Sequence, residues 1–482
     1  MATTTILDTV SSRRKPSRLP IPQTVRGRYR TIKTAVASFL LALYFITPWI
    51  RWDRGPSLPD QAVLFDLPGR RLFIFGLEFW PQDLPIAAGA LILGAFGLFG
   101  ATAVAGRVWC GFTCPQTVWT DLFFTIERFC ERLFGKGTML SNIAKPIVQI
   151  LLAILTAFGF AAFFNNAPMF PQALVTGTAP FGAYIAIGVL TLTTWLFAAY
   201  AKERVCLHMC PWPRFQAALL DKDSLVVTYQ KWRGEPRGKK RTPLRPELTQ
   251  FDALVREASA IDGARGDCID CMRCVNVCPT GIDIRDGLQM GCIGCGLCVD
   301  ACDDVMTKIE RPAGLIRFDV EGSERSGSLM RSPVRFVRPK TMLYGLLCLG
   351  ALAAIVVGIL RMDSVLVDVD PQRGQPFVQL SDGSVRNDYS FRLAHRLPEL
   401  DRVAIRAEGL DGVTVRFADA EVGHETVEVA VPGGRRISDR LMVTAAAGQA
   451  PSGRAAFRIV VSDPLSGDIL GEVDTYFWGP AR

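Results

Sequence analysis

Histidine is scarce in this chain of 482 residues: only His208, His395 and His424 are present. None lies in a long apolar run, which excludes a bis-histidine haem held between membrane helices. No cysteine follows Cys348, so the C-terminal region has no disulfide to staple it. No G-x-G-x-x-G follows a strand pattern and opens a helix, so the sequence offers no dinucleotide site as an electron source. Residues 165–180 carry no charge at all. A secretory signal is not expected at the start. Residues 1–33 are polar and basic (Arg13, Arg14, Lys15, Arg18, Arg26, Arg28, Arg30, Lys33), whereas a signal has a short charged region leading directly into an apolar core. They read as a flexible cytoplasmic tail.

What is abundant is hydrophobicity, with 49% hydrophobic residues and a mean hydropathy of +0.23. Five runs approach the roughly 20 residues needed to cross a bilayer: 34–50, 84–104, 146–164, 181–200 and 342–360. The formal charge of +8 is distributed beside these runs, as the positive-inside bias describes, and is no nucleic-acid footprint. Basic residues follow the second run (Arg107, Arg128, Arg132, Lys136, Lys145) and fill the region between the fourth and fifth (from Lys202 and Arg204 to Arg335, Arg338 and Lys340). They alternate with the mixed 51–83 loop and the uncharged 165–180 stretch. The expected topology has the tail inside, five crossings and the C-terminus outside. The 51–83 loop alternates apolar and polar residues around L-P-G-R-R, which fits a small hairpin with Trp80 at the membrane interface, or an irregular loop. Residues 230–250 and 321–340 are basic linkers.

The densest chemistry lies between Cys268 and Cys302. Cys268, Cys271, Cys274 and Cys278 form C-x2-C-x2-C-x3-C, and Cys292, Cys295, Cys298 and Cys302 repeat it 24 residues on. This is the bacterial-type signature for two [4Fe–4S] clusters, in which the fourth Cys of each run serves the other cluster. One ligand set is then Cys268, Cys271, Cys274 and Cys302; the other is Cys292, Cys295, Cys298 and Cys278. Two zinc sites or a disulfide framework are the competing readings, but zinc needs only paired C-x2-C knuckles, which the duplicated eight-cysteine run exceeds.

Two further motifs follow the second and fourth runs: V-W-C-G-F-T-C-P with Cys110 and Cys114, and V-C-L-H-M-C-P with Cys206 and Cys210. Both follow an Arg-Val pair, Arg107-Val108 or Arg204-Val205, so they read as an internal repeat. Pro115 and Pro211 suit the first position of a helix, which would make Cys114 and Cys210 N-cap-like. The helix dipole and the two arginines would then favour thiolate. Such dithiols suit Cu(I), dithiol–disulfide exchange or another cofactor, with His208 as a possible extra ligand. Ordinary buried cysteines at helix ends are the plain alternative. Cys130 and Cys348 read as packing residues.

Beyond residue 360, short alternating stretches (365–369, 388–393, 403–407, 413–417, 426–431, 441–445, 456–461) separated by Gly, Asp and Pro predict an antiparallel immunoglobulin-like sandwich, structural or for docking a partner. The expected fold is a multi-domain membrane protein. Residues 1–33 are the tail and 34–229 a membrane domain with four transmembrane α-helices. An α+β 2[4Fe–4S] ferredoxin domain is inserted at 230–340, with its clusters within 262–311. A fifth helix spans 341–361, and an all-β immunoglobulin-like sandwich occupies 362–482.

In this order, these features resemble the FixG/CcoG/RdxA family of cytochrome c oxidase accessory proteins. R-W-D-R-G-P-S-L-P-D-Q-A-V-L-F-D-L-P-G-R-R, V-W-C-G-F-T-C-P-Q-T-V-W-T-D-L-F, G-C-I-G-C-G-L-C-V-D-A-C-D-D-V-M and D-G-S-V-R-N-D-Y-S carry the likeness, which runs from about residue 35 to the end. The resemblance implies a multi-pass protein of the bacterial inner membrane, with its ferredoxin domain cytoplasmic and its sandwich periplasmic. It further implies cupric reductase activity, Cu(II) to Cu(I), in support of cbb3-type oxidase assembly, with oxidase subunits or assembly factors as partners and an electron donor that the sequence does not identify. Two other functions compete. One is a quinol-oxidising membrane ferredoxin of the NapH or NosR type, against which the exported sandwich argues. The other is an assembly scaffold whose clusters sense redox state.

Overall fold

The computed structural model describes residues 21–55, 58–238, 266–320, 335–372, 374–397, 400–420, 422–431 and 437–480. The expected tail before residue 21, most of the 230–250 linker and the 321–334 part of the second linker lie outside the described residues. The chain divides into two units, Met1–Pro48 with Ile86–Ile355, and Trp49–Pro85 with Val356–Arg482.

The first unit is helical. In chain order its main helices are α1 (Arg28–Ile46), α2 (Leu84–Ala105), α3 (Pro115–Phe134), α4 (Met139–Ala162), α5 (Phe170–Thr176), α6 (Phe181–Thr194) and α7 (Trp212–Leu219). Strand β4 (Leu225–Tyr229), α8 (Arg273–Asn276), α9 (Leu297–Lys308), β5 (Ile316–Val320) and α10 (Pro339–Leu360) follow. Among the described residues, helices α1, α2, α4, α6 and α10, with their short extensions, are the five long and apolar enough to cross a membrane. The amphipathic α3 runs beside them and buries Val118, Phe123, Phe124 and Cys130.

The first span differs from the hydropathy reading. Helix α1 starts at Arg28, inside the expected tail, because two of its basic residues find a carboxylate: Arg30 and Lys33 reach Asp121 of α3 at 2.8 and 3.8 Å. Asp300 of α9 accepts from the backbone N–H groups of Tyr29 and Arg30 at 3.2 and 2.8 Å, satisfying donors that every helix N-terminus leaves orphaned. Gly27 permits this approach, since a Cβ there would overlap the Asp300 side chain. Upstream, the Gln23 N–H donates to the Asn276 carbonyl at 2.8 Å and Val25 is buried. Residues 22–33 are therefore packed against the cysteine-rich insert, and the flexible-tail expectation fails for them.

That insert is framed by β4 and β5, paired antiparallel from Leu225↔Val320 to Tyr229↔Ile316. Val227, Tyr229, Ile284, Val299, Met306, Leu315 and Ile316 form its core together with Cys268, Cys274, Cys292 and Cys302. The strand pair begins before the expected boundary at residue 230.

In the second unit, residues 51–83 form a three-stranded meander, β1 (Val63–Asp66), β2 (Arg71–Ile74) and β3 (Leu77–Phe79), one strand more than a hairpin. Trp80, expected at the membrane interface, is buried within the protein, with the Arg396 guanidinium 4.0 Å from its ring centroid, its indole N–H on Glu78 at 2.8 Å, and Arg396 paired with Asp83. The C-terminal sandwich has one sheet ordered Val413–Phe417, Ile437–Ala445, Val385–His395, Val365–Pro371, with Val378–Gln379 on the third strand. The other is ordered Thr426–Ala430, Arg402–Glu408, Arg454–Ser462, Ile469–Trp478. All seven expected strands are present. The last strand escaped the sequence reading although Val473, Thr475 and Phe477 alternate inward. His395, buried, spends both ring nitrogens on the carbonyls of Leu397 and Val431.

Candidate redox site

Two cavities lie in the cysteine-rich insert. One is lined by Cys268, Cys271, Cys274 and Cys302, with Tyr229, Arg285 and Met306. The other is lined by Cys278, Cys292, Cys295 and Cys298, with Ile282 and Ile293; Cys274 also borders it. The crossed ligand sets expected from spacing are thus gathered around two separate spaces, and all eight thiols are free.

The two loops share a backbone. Asp270 and Met272 have φ of 52° and 58°, and Gly294 and Gly296, 24 residues on, have 67° and 72°. Wrapping three thiols around a cluster requires left-handed backbone at both positions, and in the first loop non-glycine residues adopt it at a cost. In the second loop glycine is required twice over, because a Cβ on Gly296 would stand 2.7 Å from the Tyr29 ring. Burial pushes the thiols of Cys274 and Cys292 up to about 12, and those of Cys295, Cys298 and Cys302 up as well. Thiolates there need a metal centre's positive charge. Among the described residues no three His, Cys, Asp or Glu side chains crowd closely enough to hold a single ion. That holds for these eight cysteines too, as suits ligands that embrace a cluster.

The other four cysteines sit on a structural repeat. Cys110 and Cys206 lie in single π-helical turns, Trp109–Thr113 and Val205–Met209, a form common at functional sites. Each turn closes in the same way: the Cys114 N–H donates to the Trp109 carbonyl at 2.9 Å, and the Cys210 N–H to the Val205 carbonyl at 2.8 Å. Each is preceded by a left-handed residue, Gly106 (φ 63°) or Lys202 (φ 47°). This alignment, 96 residues apart, pairs Arg107 with Glu203 and not with Arg204, which is exposed.

The two halves converge. Gln116 donates to the carbonyls of Phe197 and Lys202 at 2.8 and 3.1 Å, and Arg107 to that of Pro213 at 3.2 Å. The Cys110 thiol meets the Gln216 side-chain oxygen at 3.0 Å. The four thiols lie within electrostatic reach of one another: Cys114, Cys206 and Cys210 all act on Cys110, and Cys114 and Cys210 on Cys206.

The expected thiolate character is not found at the first cysteine of either motif. Burial above all, then the neighbouring Cys114, pushes Cys110 up to about 12 and Cys206 up to about 11. Arg107 opposes this at Cys110 without prevailing, while Glu203 adds to it at Cys206. A helix dipole acts within its first turn and contributes a fraction of what desolvation costs. Cys114 is the N-cap of α3 as expected, but α7 begins at Trp212 with Pro211 at its cap, so Cys210 falls one residue short. His208 is exposed and not among the groups acting on these thiols.

The first motif touches the second cavity directly. Cys110 packs on the cluster of Ile293, Cys295 and Leu297. A methyl group on Gly111 would stand 2.9 Å from the Ile293 carbonyl oxygen and 3.0 Å from the Cys295 nitrogen. Arg107, buried, donates to the carbonyls of Met290 and, at 2.9 Å, Cys292. Sequence reasoning did not find Gln216 or this contact, since they join positions about a hundred residues or more apart.

Residues 201–321 match a model described as a 4Fe-4S dicluster domain, residues 87–137 a 4Fe-4S binding domain, and residues 355–480 the IG-like fold at the C-terminus of FixG. Among curated proteins, RdxB of Cereibacter sphaeroides is 40% identical over 492 residues, covering 98% of both chains. RdxA of the same organism is 42% identical, covering 90% of this chain and 91% of its own. The nitrogen fixation protein FixG of Rhizobium meliloti is 37% identical, covering 92% and 90%.

Proposed function

The chain belongs to the FixG/RdxA family of membrane ferredoxins, and we propose that its reaction is the one-electron reduction of Cu(II) to Cu(I) in support of cbb3-type oxidase assembly. Cys268, Cys271, Cys274 and Cys302 hold one [4Fe–4S] cluster, and Cys278, Cys292, Cys295 and Cys298 the other; bound there, they supply single electrons at low potential. The observation that carries the reading is the contact of Cys110 with the Cys295 loop. It sets four soft sulfur ligands, suited to Cu(I), beside an electron store. Cys210, exposed, gives copper access, and soft thiols of these motifs take up the reduced ion. Each Cu(II) takes one electron, replaced by a one-electron carrier protein on the ferredoxin side.

The ferredoxin domain and N-terminus face the cytoplasm and the sandwich the periplasm. Two things support this: the basic flanks, and the packing together of the loop after the first span with the tail after the fifth.

The match of residues 87–137 to a 4Fe-4S binding domain favours a second reading, a third cluster on the four C-x3-C-P thiols. That segment alone holds only Cys110, Cys114 and Cys130, and Cys130 is buried on α3, about 20 Å along the helix from Cys114; Cys206 and Cys210 would have to complete the set.

The test uses purified full-length protein with chemically reduced clusters. Cu(II) should reoxidise them, with one chelator-trapped Cu(I) per electron, and replacing all four C-x3-C-P cysteines by Ser should abolish Cu(I) retention while about eight iron atoms remain. Clusters that stay reduced would overturn the copper reading. About twelve iron atoms in the unaltered protein would select the third-cluster reading.

A further inference from the structure

Buried charge is distributed unevenly around the two cavities. Beside the second cavity, Arg107 is 7% exposed and satisfied only by carbonyls, those of Met290, Cys292 and Pro213. Among the described residues no carboxylate pairs with it. Lys33, 2% exposed, also acts on Cys295, with Asp121 opposing it from 3.8 Å. The first cavity is lined by two cations: Arg285, held by two carboxylates, Asp283 at 2.6 Å and Asp270 at 2.5 Å, and the half-buried Arg273, which donates to the Gln23 side-chain oxygen at 3.0 Å. Asp303 adds negative charge at Cys302. Arg233 and Arg311 share Asp267 next to Cys268, and neither donates to a cluster-ligand residue. The buried cation of the first cavity is thus neutralised by carboxylates, whereas Arg107 beside the second is not, among the described residues.

We propose that Arg107 holds the cluster ligated by Cys278, Cys292, Cys295 and Cys298 at a higher potential than the other. With both clusters bound, an electron taken up from a one-electron donor protein would rest at the cluster beside Cys110. Adding an electron makes a thiolate-ligated cluster more negative, and a fixed cation in a low-dielectric surrounding stabilises that state. One electron leaves the donor and one is gained at the second cluster; no bond or proton changes. Arg107 is a positioning residue that gives transfer its direction. The proposal rests on the two-cluster assignment and not on copper.

The test is an EPR-monitored redox titration of the full-length protein without copper, so failure of the copper reading leaves it untouched. C271S alters a ligand of the first cluster only and therefore identifies its wave. In the unaltered protein the higher wave must be the one that C271S leaves in place. R107Q should shift that wave down by at least 59 mV, a tenfold change in its electron occupancy, with the lower wave unmoved. R107K, which keeps the charge, should restore most of it. A higher wave that moves with C271S overturns the proposal, and so does an R107Q protein that retains its iron and both potentials. If R107Q loses iron, the C271S assignment in otherwise unaltered protein decides.

Discussion

The two C-x3-C-P halves share a backbone and differ in almost every contact. Both have a left-handed residue, a π turn and a cysteine-proline exit. In the first half the left-handed residue is glycine, Gly111 lies against the Cys295 loop, and Cys110 is hydrogen-bonded to buried Gln216. In the second half the left-handed residue is Lys202, tied to Glu127 at 2.7 Å, and Leu207, His208 and Cys210 are exposed. A duplicated scaffold has become asymmetric: the first half lies with Gly111 against the Cys295 loop, whereas the second reaches the insert through the side chain of Leu207, against Gly291, and leaves Cys210 exposed.

The sharpest way to break this comparison is to swap the left-handed residues. G106A would force a Cβ into the Leu225 carbonyl at a positive φ, and should cost about 3 kcal/mol. K202G relieves backbone strain but leaves the buried Glu127 without its cation, and should cost about 1 kcal/mol. Thermal loss of cluster absorbance would report both, and equal losses would refute the asymmetry. Next comes G111V, which should destabilise the docked cluster by about 2 kcal/mol, whereas L207V at the equivalent position, a half-covered side chain against Gly291, should cost under about 1 kcal/mol. Iron retention on heating separates them.

A pH ramp tests the shared chemistry. In the metal-free site Cys206 should ionise near 11 and Cys110 near 12. Below those values both are protonated and inert, so alkylation should rise about tenfold per pH unit, with Cys206 reacting first. Mass spectrometry of the two peptides reads the order; simultaneous labelling near pH 8 would mean that burial does not govern them. Copper capture must displace the same protons, so apparent Cu(I) affinity should fall by up to tenfold per proton for each pH unit lost. The smallest effect is expected from Q216L, which removes the acceptor of the Cys110 thiol and should cost about 1 kcal/mol, visible as a change in Cys110 alkylation rate with Cys206 unchanged.

Much of the site was legible in residue spacing. The crossed ligand sets from Cys268 to Cys302 follow from a repeat of 24 residues, and the structure lines two cavities with those same sets. The five spans followed from hydropathy and the seven sandwich strands from alternation. The reading failed where distant charge or burial intervened. Arg30 and Lys33 looked like tail residues until Asp121 received them. Cys110 and Cys206 looked like members of low-pKa dithiols, but burial pushes both up.

By itself the sequence set the duplicated cysteine spacing, the segments apolar and long enough to cross a membrane and the strands, because these depend on spacing and periodicity along the chain. Only the tertiary structure decided that Cys110 abuts the second cavity and not the first, that Arg107 is buried there without a carboxylate, and that the twin motifs face different surroundings. Those outcomes depend on desolvation and Coulomb terms between groups a hundred or more residues apart, and no local pattern encodes them.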